Sequence, residues 1–215
     1  ENASLADILA CINLTARIEE TVQVSDTPSV FNWIQWLEQN EERAVQRYYF
    51  TLTGDADGTT DVEIPIRSFQ ARRRDGEPTY LSVVVPGNQY QSQIAARSNG
   101  DIKIEMAYIV DGVQSYRETI CKVDLERIRV DYGGRNKSIT LTGHRTESFD
   151  TKVVDLRNVT YWRLDEGNYT YRCATCDLYL NPGDAVRHDG RSVTANQVVY
   201  AFNVALQSME VSENP

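Results

Sequence analysis

One cysteine pair sits at a spacing used by metal and redox sites, Cys173-Ala174-Thr175-Cys176. A structural zinc centre takes four ligands, usually two such pairs or one pair with spaced histidines. The remaining cysteines, Cys11 and Cys121, are distant in sequence, and the only histidines are His144 and His188. Residues three apart on a regular strand point to opposite faces, so two buried or half-buried thiols are the default; paired, metal-bound and free states stay open. Gly54-Asp55-Ala56-Asp57-Gly58 opens like a calcium loop, but Thr60 and Ile66 stand where that pattern needs Gly and Glu. Arg72-Arg73-Arg74 is the only basic run, and Asp75 and Glu77 beside it blunt any phosphate role. It reads as a solvated hairpin tip, or as a source of salt bridges across a subunit contact. Adjacent carboxylates such as Glu19-Glu20 and Glu41-Glu42 do not converge on one substrate. The chain holds no Gly-x-Ser-x-Gly elbow, phosphate-cradling glycine loop or His-Glu-x-x-His helix. The expectation is a protein that is not an enzyme, with no catalytic, cofactor-binding or metal-ligating residue assigned.

The elements that would position any site are β-strands. Five dipeptides, Asp57-Gly58, Asp75-Gly76, Asn99-Gly100, Asp111-Gly112 and Asp189-Gly190, lie between segments of alternating polarity. A two-residue hairpin turn needs positive φ, which Gly takes freely and Asn or Asp tolerate, so each reads as a hairpin tip. Alternation predicts strands over 45–53, 61–69, 80–85, 89–97, 102–109, 115–130 (bent or bulged), 138–142, 152–156, 160–164, 169–174, 185–187 and 198–211. Val62, Ile64 and Ile66 show the period of two, as do Ile102, Ile104 and Met106. Strands at this spacing predict an all-β fold of antiparallel barrel or sandwich domains.

The first 43 residues differ. Leu14–Val24 alternates as an extended arm, and Thr27-Pro28 caps a short helix whose Val30, Ile34 and Leu37 repeat at helical spacing. Trp33 widens that stripe and Trp36 falls on another side, so the helix needs contacts on several faces. The expected organisation is an arm and short helix over 1–43, a first β domain over 44–147 and a smaller one over 148–215 packed on it. Thr51-Leu52-Thr53-Gly54 returns as Thr140-Leu141-Thr142-Gly143, a short echo only.

A formal charge of −9 and a pI near 4.8 argue against a nucleic-acid groove, which needs clustered Lys and Arg. An acidic surface suits a channel that DNA passes without sticking. No apolar run approaches the ~20 residues that span a bilayer. Four cysteines in 215 residues are no disulfide framework, and a reducing compartment is expected. Asn-x-Ser/Thr triplets at Asn2, Asn13, Asn136, Asn158 and Asn168 are taken as chance products of Thr-rich strands.

Three stretches carry a resemblance: Glu19–Val30; Val123–Arg135 continuing through Ser138–His144; and Tyr169–Cys173 with Leu180-Asn181-Pro182-Gly183-Asp184 and the closing Ser208–Val211. Together, over residues 19–211, they resemble structural proteins of tailed bacteriophages, most closely tail-tip or baseplate hub components with tube-like β-barrel domains. The Asn-Pro-Gly-Asp turn, with the hairpin and final strand after it, is similar to the last barrel of such proteins. The resemblance implies a non-catalytic virion subunit, made in the bacterial cytoplasm, whose ring joins the tail tube to a central fibre or spike and leaves a lumen for DNA. It implies a homo-oligomer, a trimer favoured and a hexamer possible, contacting tail-tube, distal-tail and fibre or spike proteins without sequence-specific nucleic-acid binding. The competing reading is a carbohydrate-binding β-sandwich of a tail tip or cell surface, for which twelve tyrosines and three tryptophans are available. A β-rich hydrolase using dispersed carboxylates is the third.

Overall fold

The computed structural model describes residues 44–54, 60–115, 117–133, 137–175, 180–203 and 206–213. The expected arm, the helix after Thr27-Pro28, the Asp57-Gly58 tip and Cys176 lie outside the described residues. Fifteen strands and one helix follow in order: β1 (Val45–Leu52), β2 (Val62–Glu63), β3 (Ser68–Arg74), β4 (Thr79–Pro86), α1 (Gln91–Ala95), β5 (Asp101–Val110), β6 (Val113–Gln114) and β7 (Glu118–Asp131). Then come β8 (Ser138–Arg145), β9 (Val153–Asp155), β10 (Val159–Asp165), β11 (Asn168–Cys173), β12 (Ala185–His188), β13 (Arg191–Thr194), β14 (Gln197–Asn203) and β15 (Leu206–Ser212). The fold is all-β with one short helix, as the alternation predicts.

The chain divides into two units, Glu1–Tyr48 with Met106–Glu118, and Tyr49–Glu105 with Thr119–Pro215. In the first, Asp111 and Gly112 both take positive φ (50° and 84°) and fold the end of β5 onto β6. Ser115 Oγ accepts from the Tyr108 amide at 2.9 Å, and Gln46 Nε2 donates to Tyr108 Oη at 3.2 Å.

Most of the second unit is the large antiparallel sheet, whose strand order is β10-β11-β15-β14-β3-β4-β8-β7-β5-β1-β2. Strands from either side of residue 148 lie together in it: β3 pairs with β14 over seven residues, Ser68↔Asn203 to Arg74↔Gln197. Its inner face is Phe69, Ala71, Leu81, Val83, Val85, Ile139, Leu141, Val198, Tyr200, Met209 and Val211, all buried. These residues alternate along their strands with partly exposed neighbours, so one sheet face is buried and the other wet. A three-stranded sheet, β13-β12-β9, contains the one parallel pair among the described strands, β12 with β9.

Several expectations need correction. The sheet order is an open path, so the described residues form no closed barrel: closure among them would require β10 to pair with β2, a two-residue strand. The predicted strand 61–69 breaks after Glu63, because Pro65 has no amide to give a ladder. Residues 89–97 hold helix α1, with Ile94 N donating to Tyr90 O at 2.9 Å and Ala96 N to Ser92 O at 3.1 Å. Gln91, Gln93, Ala95 and Ala96 favour helix, and only Ile94 is buried there. Asn99-Gly100 therefore follows a helix and is no hairpin tip. Its glycine answers to space, since a Cβ there would lie 2.2 Å from the Thr53 carbonyl oxygen. The single strand predicted over 198–211 is the hairpin β14–β15, in which Asn203 pairs with Leu206. The predicted bend in 115–130 is a register shift between Leu125 and Arg127 of β7.

Candidate functional site

The hairpin β10–β11 ends the large sheet, so one side of β10 has no strand beside it among the described residues. Its turn is Glu166-Gly167, with φ of 47° and 85°, the mirror-image geometry expected at Asp-Gly or Asn-Gly. Directly opposed residues of an antiparallel pair share a face. One such row runs Trp162, Tyr171, Val211, Val198, Arg73 across five strands. Tyr171, Val211 and Val198 are sealed from solvent, whereas Trp162 is 46% exposed. The next row pairs Leu164 with Tyr169, and Leu164 is 52% exposed. The apolar face thus runs out to the sheet edge half-exposed, and Tyr161, 52% exposed, presents a third large side chain on the opposite face. Edge strands of soluble proteins are usually shortened, charged or covered. This one spans seven residues and bears three bulky side chains.

The small sheet reaches the same face. Asp189-Gly190, with φ of 49° and 74°, turns β12 into β13 and sets Arg191 over the rings of Trp162 (5.0 Å) and Tyr169 (5.3 Å). Tyr169 stacks on Tyr171 at 5.9 Å, and His188 meets Tyr171 edge-on at 5.6 Å. A guanidinium held over aromatic faces fixes both partners at little entropic cost.

Of the arginine run, only Arg72 and Arg74 match the solvated reading: both are half-exposed and pair with Glu77 at 3.5 and 2.9 Å. Arg73 does not. Strand alternation turns it to the core face, where it is 8% exposed. Its Nη1 donates to Asn181 Oδ1 at 3.1 Å and its Nη2 to the Ile120 carbonyl. The guanidinium also lies over Phe149 (5.2 Å) and Tyr200 (5.7 Å). Glu147 is 4.0 Å from Nε, which has no hydrogen-bond partner, and accepts instead from Thr79 Oγ1 at 2.5 Å. The Asn181-Pro182-Gly183-Asp184 turn supplies one wall. Buried Asp184 accepts from the Lys152 and Asn181 amides at 2.9 and 2.7 Å, and Gly183 takes φ of 90°. The turn that stood out in sequence is therefore a brace that presents Asn181 to Arg73.

Other singled-out residues are not brought together. Cys173 is buried on β11 and Cys121 is buried on β7. Burial pushes the Cys121 thiol up to about 12, against a lowering by Arg73 and with a smaller raising by Glu147. His144 Nδ1 is 2.8 Å from Glu126 Oε2, and the ring tilts against Tyr80 at 5.0 Å. Arg145 Nη2 bridges Asp101 Oδ1 (3.1 Å) and Asp124 Oδ1 (2.6 Å), while Lys122 Nζ reaches Asp101 Oδ2 at 2.9 Å. Burial works against the Asp101 charge, yet Lys122 and Arg145 outweigh it and hold the carboxyl below its ordinary value of 3.8. Among the described residues no three His, Cys, Asp or Glu side chains converge as a metal set, and no helix is long and apolar enough to cross a membrane.

No family model and no curated protein matches the chain. Solved structures do. The tail protein from Neisseria meningitidis MC58 aligns over 78% of this chain and 95% of its own, at 6% identity and a TM-score of 0.47. A 43 kDa tail protein of prophage MuSo2 from Shewanella oneidensis aligns over 78% and 96%, at 7% identity and a TM-score of 0.45. A component of the E. coli type VI secretion system, itself structurally similar to the T4 bacteriophage tail proteins gp27 and gp5, aligns over 76% and 75%, at 4% identity and a TM-score of 0.45. The structural neighbours of this chain are thus phage tail proteins and a component of a type VI secretion system.

Proposed function

We propose that this chain is a non-catalytic structural subunit of a bacteriophage tail tip or baseplate. In this reading it forms a hub-like ring that joins the tail tube to a central fibre or spike. The observation that carries the reading is the terminal strand β10, seven residues long, with Trp162 and Leu164 extending the core face into solvent. An edge of that length with no strand beside it among the described residues, continuous with a buried apolar face, is a template for another chain. A second copy of this chain is its partner in the proposal, in a ring of three copies or, second, six. The stretches Glu19–Val30, Val123–Arg135 and Leu180–Asp184, by their resemblance to tail-tip and hub proteins, support the same reading. The net charge of −9 fits a lumen that DNA traverses without binding.

The division at residue 148 belongs to the proposal: residues 148–215 supply the edge hairpin and the Arg73 brace. Residues 44–147 supply most of the large sheet. Assembly would occur in the host cytoplasm and the product would reside in the virion tail, in contact with tail-tube, distal-tail and fibre or spike proteins. The test is negative-stain electron microscopy of the purified protein together with a count of its copies per particle. Rings of three or six subunits are expected. A protein that stays monomeric at tens of micromolar and is missing from particles would overturn the reading.

A further inference from the structure

The wet face of the edge hairpin contains a groove that assembly does not account for. A second row of opposed residues crosses five strands there: Arg163, Thr170, Ser212, Gln197, Arg74. Thr170 and Ser212 form its floor. They are only 7% and 4% exposed, they line the groove, and neither hydroxyl has a hydrogen-bond partner among the described residues. The two residues are otherwise buried, yet their hydroxyls open to the groove, since Arg73 Nε is the one sealed side-chain polar atom without a partner among the described residues; both are free to bond a ligand there. Around these two hydroxyls stand Asp165, Glu166 and Glu210, the amides of Asn168 and Gln197, and Arg163, lining an open groove of about 390 Å³.

The groove has a simple geometric origin. Thr170 and Ser212 are short, while the flanking row is built from long side chains: Tyr161 opposes Arg172, which opposes Glu210 and binds it at 2.9 Å. Tyr161 and Arg163 share a face of β10, about 7 Å apart along the strand. The exposed ring of Tyr161 therefore stands beside the groove, on its own side of the sheet. The volume falls within the range of small-molecule sites, about 300–1,000 Å³.

We infer that this groove binds a neutral saccharide. Carboxylates accept from ligand hydroxyls, side-chain amides both donate and accept, and the floor hydroxyls do either. That inventory matches a ligand made of closely spaced hydroxyls, each donor and acceptor at once. Tyr161 supplies the flat apolar surface on which the C–H face of a sugar ring packs. With Glu210 paired to Arg172, Asp165 and Glu166 still outnumber Arg163 and disfavour anionic ligands such as phosphates and uronates. The inference does not rest on the proposed ring, because the groove is on the sheet face opposite Trp162 and Leu164.

The test is isothermal titration of the full chain with neutral trisaccharides of glucose, galactose and N-acetylglucosamine, with a glucuronate trisaccharide and pentalysine alongside. One neutral series is expected to bind in the high-micromolar to low-millimolar range, with the glucuronate series silent. Thr170→Val keeps the β-branched shape and removes the hydroxyl, and should weaken binding about tenfold; Ser212→Ala and Tyr161→Ala should each weaken it severalfold. Lys103→Ala, at a residue paired with Glu105 and not lining the groove, should leave affinity unchanged. The inference is overturned if no neutral trisaccharide binds at about 10 mM. It is equally overturned if binding survives all three groove variants, or if pentalysine binds while the saccharides do not.

Discussion

Replacing Arg73 with methionine tests whether one buried guanidinium ties the large sheet to the turn at Asn181. The substitution removes the bonds to Asn181 Oδ1 and the Ile120 carbonyl and leaves both acceptors unpaired. Hydrogen bonds to a charged group contribute about 1.5–3 kcal/mol each, so the pair comes to about 3–6 kcal/mol. Against this, Nε already lacks a partner, and removing a buried unsatisfied donor returns about 1–3 kcal/mol. Methionine keeps much of the packing against Phe149 and Tyr200 but loses the cation–π component. The net is about 3 kcal/mol. For a chain of this size that is a fall in Tm of about 6–12 °C. Arg72→Met is the internal control, because its exposed pair with Glu77 contributes about 0–1 kcal/mol. Thermal melts followed by circular dichroism separate the two. If Arg73→Met melts within about 2 °C of the parent, the brace is decorative and the reasoning fails.

The Asp101 cluster predicts a pH dependence. Its carboxyl titrates lower in the folded protein than in the unfolded chain, so its contribution is present above about pH 4 and is lost as pH falls through the folded value. The difference in urea midpoint between the parent and Asp101→Asn should therefore shrink steadily from about pH 5 to about pH 2; a constant difference would contradict the assignment. With its thiol near 12, Cys121 should resist alkylation by iodoacetamide at pH 8 in the folded protein and react fully in urea, read by peptide mass mapping. Gly143→Ala would set a Cβ 1.8 Å from the Asp124 carbonyl oxygen where β8 meets β7. It should cost more than about 2 kcal/mol in a urea melt, and a neutral result would mean that the two strands sit farther apart.

Much of the fold is legible because steric rules are local. Asp111-Gly112 and Asp189-Gly190 become mirror-image turns since few other residue pairs accept positive φ twice. Glu166-Gly167 makes the same turn with a residue that has no such preference, so only its second position carries a signal. The β14–β15 hairpin carries none, because Val204 and Ala205 lie between its paired ends. Helix α1 lies under a short alternation around Ile94, and only its Gln and Ala content speaks for helix. Arg73 is instructive in another way. A run of charges reads as solvated, but on a strand its middle member must point opposite to its neighbours, so Arg72 and Arg74 outward mean Arg73 inward. The exposed edge was not legible at all: which strand ends a sheet is decided by pairings between residues far apart in the chain.

The central claim is that strand β10 is an assembly surface, and native mass spectrometry of the parent beside Leu164→Arg tests it most directly. Leu164 is half-exposed, so the arginine should be tolerated by the fold, which circular dichroism checks on the same samples. The account predicts a parent mass of three or six chains and a variant shifted to the mass of one. A parent that flies as a single chain, or a variant that assembles as the parent does, would contradict it.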